Sequence, residues 1–293
     1  MAYRKKRKTV LTSAGCARGL DHVGVVAADL AASLAAWRAI GFAPTPLARH
    51  ANQSPDGALT PTGTGNHCIM LQQSYLELLG FTDPDAQSAT LSRFLAAHAG
   101  IHVLTLRIDD AAAAERRLAR TGLPADAISS ARPADPHQPD GAMARFVRLP
   151  LTDADPRLQL LQHLTPELVW RPDTLRHPNH AVALTAVIVV ARLPAEFAAR
   201  LSRATGCALR PDPAGGYQLD LPQGTVRILP PAALGQVFPG VTPRPATVSI
   251  AGVTLTTDDA NHAVAGLLPS RLRPAPGGLM LEIDGTAVLF AGG

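Results

Sequence analysis

Two histidines and one glutamate occupy positions from which they could act together. His22 and His102 each lie near the start of an apolar segment that ends in aspartate. Glu77 lies in the centre of the apolar run Tyr75-Leu76-Glu77-Leu78-Leu79, where an unpaired carboxylate would be costly to bury. Two imidazoles and a carboxylate on one concave face would relieve that cost by holding a divalent transition metal. Fe, Mn, Ni, Co and Zn suit such a set, whereas Ca does not.

Each of these residues also has an ordinary structural interpretation. A strand histidine taken alone is more often a satisfied core or edge residue than a ligand. Glu77 could instead pair with an arginine such as Arg145 or Arg148. The metal interpretation is favoured because the two histidines occupy equivalent places in an internal repeat, 80 residues apart, and because a pseudo-twofold axis would bring the carboxylate near them.

The elements that must position these residues form a unit that recurs along the chain. In the first unit Asp29 caps a predicted helix that stops at Gly41, and in the second Asp109 opens an alanine-rich helix that stops at Gly122. Short apolar runs after each helix predict further strands, so each unit is βαβββ. Two more units have their first strands at 184–190 and 247–257, with helices at Pro194 and around 262–268.

We therefore predict an α+β fold of four βαβββ modules arranged as two paired halves. Residues 1–19 are predicted to be a basic, disordered tail, 20–165 a metal-site domain, 166–182 a linker, and 183–293 a second pair of modules. In the second pair Thr185 and Arg227 stand where the first has His22 and Glu77, so we expect that pair to hold no metal.

Composition limits the class of protein. The chain has 293 residues, 46% of them hydrophobic and 17% charged, which is typical of a soluble globular protein. Its net charge of +4 falls to −1 without the five basic residues of the segment 4–8, so we predict no nucleic-acid surface. No segment is long and apolar enough to span a membrane. The three cysteines have no paired spacing, which favours a cytoplasmic location.

Several short motifs, in this order, carry a resemblance to a known group. They are Leu20-Asp21-His22-Val23, then Gly63-Thr64-Gly65 leading into Asn66-His67-Cys68-Ile69-Met70-Leu71, and then Tyr75-Leu76-Glu77-Leu78. Together they resemble the vicinal oxygen chelate superfamily, and within it the glyoxalase-like domain proteins. The likeness covers roughly residues 20–190, including a later stretch from Gln162 to Trp170, and the rest only as repeat architecture.

The resemblance implies a cupped sheet of paired modules that holds a metal. Members of the superfamily bind bidentate oxygen ligands and perform isomerisation, extradiol ring cleavage, epoxide opening or drug sequestration. Carried over to this chain, the metal ligands would be His22, Glu77 and His102, with Gln159 as a fourth. Glutamine there departs from the commoner carboxylate, which puts a carboxylate base of the glyoxalase I kind in doubt.

The remaining candidate residues follow from the same resemblance. Gln159 and His163 are predicted catalytic residues, with His163 a proton carrier or replacement ligand; alternatively, His163 ends its strand and bonds to backbone. Asn66, His67 and Arg148 are predicted to line the substrate pocket, although each also suits a purely structural role.

Three functions are consistent with these residues. The first is a metal-dependent isomerase, lyase or extradiol-type dioxygenase acting on a small oxygen-chelating substrate. The second is a metal-free binding protein of the bleomycin-resistance type, which would need no ligand set. The third is a scaffold that uses the basic tail and the second half as contact surfaces. We favour the first, with a small molecule as partner and a monomer or homodimer as the assembly.

Overall fold

The computed structural model describes residues 14–53, 59–83, 85–86, 88–135, 137–138, 141–152, 154–258 and 271–292. Among these residues, the first half of the chain contains three helices and eight strands. They are β1 (Ala17–Val26), α1 (Leu30–Ala39), β2 (Ala48–Gln53), β3 (Leu59–Met70), β4 (Tyr75–Phe81), α2 (Ala89–Ala97), β5 (Gly100–Ile108), α3 (Ala111–Arg120), β6 (Ile128–Pro133), β7 (Met143–Thr152) and β8 (Arg157–His163).

The second half repeats this organisation after a connection that holds two 3-10 turns, Pro166–Leu168 and Pro172–Thr174. A third such turn, Pro231–Gln236, lies within the second half. The strands and helix are β9 (Ala181–Ala191), α4 (Pro194–Thr205), β10 (Leu209–Pro211), β11 (Tyr217–Asp220), β12 (Thr225–Leu229), β13 (Val248–Thr257), β14 (Arg273–Ala275), β15 (Gly278–Ile283) and β16 (Thr286–Gly292).

Each half forms one eight-stranded sheet with the same strand order. The first is β2-β3-β4-β1-β5-β8-β7-β6 and the second is β10-β11-β12-β9-β13-β16-β15-β14. In both sheets the first strands of the two modules lie antiparallel at the centre, and each runs parallel to the last strand of its own module. The predicted α+β fold of paired modules is confirmed.

Local sequence explains where the helices begin and end. The Asp29 carboxylate accepts the Ala32 N–H at 2.9 Å and so caps α1, which is followed by Gly41 at φ +83°. Pro194 is the first residue of α4, where its missing N–H costs nothing, and Gly206 ends that helix in the left-handed conformation. These predicted boundaries are confirmed.

The repeat is not a constant 80 residues, however. Asp110, not Asp109, caps α3, because its carboxylate accepts the Ala113 N–H at 2.8 Å. Asp109 instead pairs with Arg18 at 2.5 Å, and Arg18 itself lies in β1, which begins ahead of the predicted start at residue 20. The first helix is capped at 29 and the equivalent helix at 110, an offset of 81, so positions 80 residues apart are not strictly equivalent.

Four short edge strands and one helix went unpredicted among the described residues. The edge strands β2, β6, β10 and β14 have at most six residues each, and the last three are largely exposed, so these strands carry little apolar pattern. The helix α2 is inserted between the first two modules, where Ser88 caps it and Leu91 and Phe94 are buried. The predicted helix around 262–268 lies outside the described residues.

The two halves are joined by side chains as well as by backbone. Asp284, in the turn between β15 and β16, accepts hydrogen bonds from Ser33 at 2.5 Å and from the Trp37 indole at 2.8 Å. Backbone bonds link Leu20 and Arg18 in β1 to Gln223 ahead of β12. No helix among the described residues is long and apolar enough to cross a membrane.

Candidate functional site

A row of polar side chains crosses the five strands β3, β4, β1, β5 and β8. Its members, in strand order, are Asn66, Glu77, His22, Thr105 and Gln159. The register places Thr105 opposite His22 on β1 and beside Gln159 on β8. Asn66, Glu77 and His22 are not register partners and meet through their side chains. Four of these residues had been predicted as functional from the sequence, and the structure brings those four together.

A buried carboxylate supports the row from one side. Asp21 is fully buried and lies 2.6 Å from Nδ1 of His22 and 2.7 Å from Nε2 of His163. Burial alone would raise the pKa of Asp21, but hydrogen bonds from the two histidines outweigh it and hold the pKa well below its ordinary value. Asp21 is therefore ionised, and both facing histidine nitrogens carry a proton that they donate to it.

These bonds assign hydrogen-bond directions along the row. When the His22 ring carries its single proton on Nδ1, Nε2 carries the lone pair. The Thr105 hydroxyl lies 2.9 Å from that nitrogen and donates to it, while Thr105 accepts the Gln159 amide N–H at 2.8 Å. The result is a directed chain from Gln159 through Thr105 and His22 to Asp21, buried at every step.

Glu77 is the more exposed member of the pair that it forms with His22. One carboxylate oxygen accepts a hydrogen bond from the Asn66 amide, and the other lies 3.8 Å from Nε2 of His22. The Glu77 side chain is 17% exposed against 6% for His22. Burial, with the nearby Glu77 charge, raises the pKa of the Cys68 thiol to about 12, so Cys68 is neutral.

His163 connects the buried carboxylate to a surface cleft. Its ring packs edge-on against Trp170 at 4.6 Å and Phe146 at 5.2 Å between ring centres. Nδ1 of His163 is buried and has no hydrogen-bond partner. The cleft has a volume of about 530 Å³ and is lined by His163 and Trp170 together with Gln72, Gln73, Arg107, Ile108, Asp109, Gln162, Pro166 and Glu167.

His102 does not lie in this row, which corrects the predicted ligand set. The register shifts between Gly24, opposite Val103, and Val25, opposite Ile101, so that His102 has no partner residue in β1. Thr105, not His102, faces His22. The metal set of His22, Glu77 and His102 is therefore not assembled.

His102 instead belongs to a second cluster. In the described part of the chain, His98, His102 and Asp155 form the one group of three metal-ligating side chains, with ligand atoms within 4.8 Å of one another. It is a candidate metal group, and the metal that it would hold is not identified. Burial and the neighbouring Arg244 lower the pKa of His98 to about 4.

The other predicted pocket residues lie apart from the row. His67 directly follows Asn66 on β3, so its side chain points to the opposite face of the sheet. There its Nδ1–H donates to the Thr45 carbonyl at 2.8 Å. Arg148 lies on β7 opposite Leu161 of β8. Sequence reasoning missed the roles of Asp21 and Thr105. A charged residue directly before His22 in an apolar strand was the available signal for Asp21.

Solved structures with this arrangement define the class of fold. A hypothetical protein from Staphylococcus aureus superposes with a TM-score of 0.59 at 13% identity, covering 94% of this chain and 98% of that one. A triple mutant of 4-hydroxymandelate synthase from Streptomyces coelicolor superposes with a TM-score of 0.55 at 14% identity, covering 94% and 92%. This is the vicinal oxygen chelate fold.

The family follows from the sequence itself. The model of the family described as glyoxalase-like domain matches residues 20–205. The chain belongs to that family. A fusion of a xylose isomerase-like TIM barrel with a 4-hydroxyphenylpyruvate dioxygenase also shares the fold, at a TM-score of 0.52 and 13% identity, covering 91% of this chain and 41% of that one. No protein among those with curated descriptions matches the sequence significantly.

The polar row has too few imidazole and carboxylate ligands for the kind of metal site that this fold commonly holds. Open catalytic sites take three protein ligands, of which imidazole and carboxylate are the usual types. The row offers one imidazole nitrogen and one carboxylate, 3.8 Å apart, together with the amide oxygen of Gln159, the predicted fourth ligand. The imidazole lone pair accepts the Thr105 hydroxyl. This donor set does not fit the predicted two-histidine, one-carboxylate centre.

Proposed function

We propose that this chain is an enzyme of the isomerase or lyase kind that moves a proton on a small oxygen-bearing substrate bound in the cleft beside His163. The observation that carries the proposal is the Asp21 carboxylate, fully buried between His22 and His163. A carboxylate that orients an imidazole and stabilises its protonated form is the standard support for a histidine acid–base catalyst.

His163 is the residue that would exchange the proton. Its Nε2–H is fixed on Asp21 at 2.7 Å, so its basic nitrogen is Nδ1, which has no partner. A proton taken from the carbon next to a substrate carbonyl would convert His163 to an imidazolium that faces the Asp21 charge. In an α-hydroxy carbonyl substrate, return of that proton to the former carbonyl carbon, with the hydroxyl proton passing from one substrate oxygen to the other, completes an isomerisation, and no other reactant is needed.

The cleft supplies the groups that would bind such a substrate. Arg107 brings a positive charge to a lining that also holds the carboxylates of Glu167 and of Asp109, the latter paired with Arg18. The guanidinium suits a carbonyl, enolate or carboxylate oxygen. Trp170 lies against the His163 ring and at the cleft wall. Because Nδ1 is buried, a substrate in the cleft would reach it only after side chains around the ring move. Gln162 holds its place by accepting the Ala111 N–H and donating to the Asp109 carbonyl.

Two further residues support His163 through Asp21. His22 shares the same carboxylate, so the Asp21 charge is held by two donors and the ring of His163 cannot turn freely. Gln159, a predicted catalytic residue, is linked to His163 only through Thr105, His22 and Asp21, because its amide donates to Thr105 and Thr105 donates to His22. We assign it a positioning role. No step in this proposal uses a metal.

The test is solvent exchange at carbon. The full chain would be incubated in D2O with small α-hydroxy ketones and α-ketoaldehyde adducts, and deuterium incorporation followed by NMR. We expect incorporation by the wild type and a fall of about 100- to 10,000-fold in His163→Gln. The matched control is His180→Gln, because His180 is an exposed histidine paired with Asp258 and should leave the rate unchanged.

A metal-free binding protein is the second candidate. Two observations favour a binding protein: the cleft is lined by the aromatic side chain of Trp170, and the polar row lacks a full set of metal ligands. Saturable ligand binding without deuterium exchange at carbon would overturn the enzyme proposal and support the binding protein. Exchange that survives in His163→Gln would overturn the assignment of His163.

A further inference from the structure

The second half holds a cavity of its own, with a volume of about 240 Å³. It lies between β9, β13 and the 3-10 turn of the second half, which contribute Val190, Ala251 and Leu234 to an apolar wall. The cavity shares no lining residue with the cleft beside His163, so it is a separate candidate binding site.

A small side chain at one position keeps this cavity open. The pairing of β13 with β9 leaves Ala251 without a partner, just as the pairing of β5 with β1 leaves His102 without one. In the first half, Phe94 of α2 stacks on His102 at 4.7 Å between ring centres, so two rings occupy this position. In the second half, alanine stands there and a 3-10 turn replaces the helix between the modules. Part of that space therefore stays open.

Arg244 brings a positive charge to the lining of this cavity. Its guanidinium donates to the Ile250 carbonyl at 2.9 Å, to the Ala99 carbonyl at 3.3 Å, and to the Gly285 carbonyl. Within the described part of the chain these are its hydrogen bonds, and all of them go to neutral groups. Two of the five N–H donors of a guanidinium are then left for a ligand.

The acidic side chains around Arg244 have other partners. The Asp155 carboxylate lies 2.9 Å from Nδ1 of His102, and Glu282 forms an ion pair with Arg273. Burial lowers the pKa of Arg244, and the charges of Asp155 and Glu282 only partly oppose this effect. An anion bound in the cavity would therefore compensate a charge that the protein itself compensates only in part.

Size and charge together restrict the ligand that would fit. Sites for drug-sized ligands begin at about 300 Å³, so this cavity suits a smaller molecule with a short apolar chain. A guanidinium recognises an oxyanion through charge-assisted hydrogen bonds. The Glu282 carboxylate on the same lining would repel a doubly charged phosphate more strongly than a singly charged carboxylate.

We infer that the second half binds a small aliphatic monocarboxylate in this cavity, with its oxygens on Arg244. The apolar chain of the ligand would lie against Val190, Leu234 and Ala251. Because Arg244 also bonds to the Ala99 carbonyl ahead of β5, the ligand would help to hold a side chain that joins the two halves. This inference is independent of the proposed function at His163.

Titration of the full chain with isovalerate, followed by ligand-observed NMR, tests the site. We expect saturable binding of isovalerate and binding about 10-fold weaker, or less, for isoamyl alcohol, which has the same chain without the charge. Bound isovalerate should also raise the melting temperature of the wild type. This comparison needs no variant, so it stands even where a substituted protein fails to fold.

Two variants remove the site in different ways, and circular dichroism would show that each one folds. Arg244→Met removes the charge, whereas Ala251→Leu fills the cavity and leaves Arg244 in place. Each should weaken isovalerate binding by about 10-fold or more. Arg192→Met is the matched control, because Arg192 also donates to a carbonyl, that of Pro245 at 2.9 Å, but does not line the cavity.

The cleft needs its own control, because Arg107 could bind the same probe there. Arg107→Met should keep the isovalerate site of the second half, and His163→Gln should keep it while losing carbon exchange, which separates the two proposals. A wild type that binds isovalerate no better than isoamyl alcohol would overturn the inference. Unchanged binding in folded Ala251→Leu, or loss of binding in Arg107→Met alone, would overturn it as well.

Discussion

The Thr105 hydroxyl lies 2.9 Å from Nε2 of His22, across the two central strands of the first sheet. The hydroxyl donates to the lone pair of that nitrogen and accepts a hydrogen bond from the Gln159 amide. A hydroxyl at the centre of a buried sheet face is thus both donor and acceptor, and its removal leaves two polar groups without partners.

Thr105→Val should therefore destabilise the protein. The substitution keeps the shape of the side chain but leaves Nε2 of His22 and the Gln159 amide unpaired in a buried region. We expect a loss of roughly 1–3 kcal/mol in the free energy of unfolding, measured by urea denaturation. Thr105→Ser retains the hydroxyl and should recover most of the loss. Equal losses in both variants would contradict the role of the hydroxyl.

Asp21→Asn should reduce both stability and activity. An amide has only one acceptor oxygen for the two N–H groups of His22 and His163, so one histidine must lose its bond or change its tautomer. We expect about 1–3 kcal/mol less free energy of unfolding, together with a fall in carbon exchange. Asp29→Asn, at the exposed cap of α1, is the matched control, since asparagine caps as well as aspartate.

Arg117→Met should loosen the contact between the two halves. The buried guanidinium of this α3 residue donates to the Gly15 carbonyl and to the last-turn carbonyls of Arg203 and Ala204 in α4, at 3.2, 2.6 and 2.5 Å. A cation at a helix C-terminus also stabilises the helix dipole. We expect a loss of roughly 2–4 kcal/mol, measured by chemical denaturation. Arg120→Ala, on an exposed part of the same helix, should cost little.

His177 should make stability depend on pH. The Ala43 N–H donates to its Nδ1 at 3.1 Å and its Nε2–H donates to the Met70 carbonyl at 2.7 Å, so the folded protein holds the ring neutral. Burial lowers the pKa of His177, and the bond to Met70 only partly opposes this. The stabilisation that neutral His177 contributes is fully present above the pKa of histidine in the unfolded chain, about 6.5. It is lost as the pH falls below that value towards the lower pKa of His177 in the folded protein.

Urea unfolding between about pH 8 and about pH 5 would measure the effect. The free energy of unfolding of the wild type should fall more steeply with acidification than that of His177→Gln. His180→Gln should follow the wild type, because His180 is largely exposed. Parallel curves for the wild type and His177→Gln would show that His177 does not carry this dependence.

Much of the fold could be predicted from the sequence because its signals are local. Asp29 before an apolar helix pattern, Gly41 after it, and Asp284-Gly285 between two apolar runs each specify backbone geometry through neighbouring residues alone. Repetition of such signals was enough to predict paired βαβββ modules. The edge strands escaped because they are short and carry weak apolar patterns, and α2 because it lies between the first two modules and is not part of the repeated unit.

The sequence by itself determined that a histidine and a glutamate would lie on the central strands of the first half. Only the tertiary structure decided which residues face them. The pairing of β1 with β5 has three register shifts, and the one between Gly24 and Val25 removes His102 from the row, so that Thr105 lies opposite His22. Strand side chains alternate between faces, so a one-residue shift in register changes every contact, while the apolar pattern from which strands are predicted stays the same.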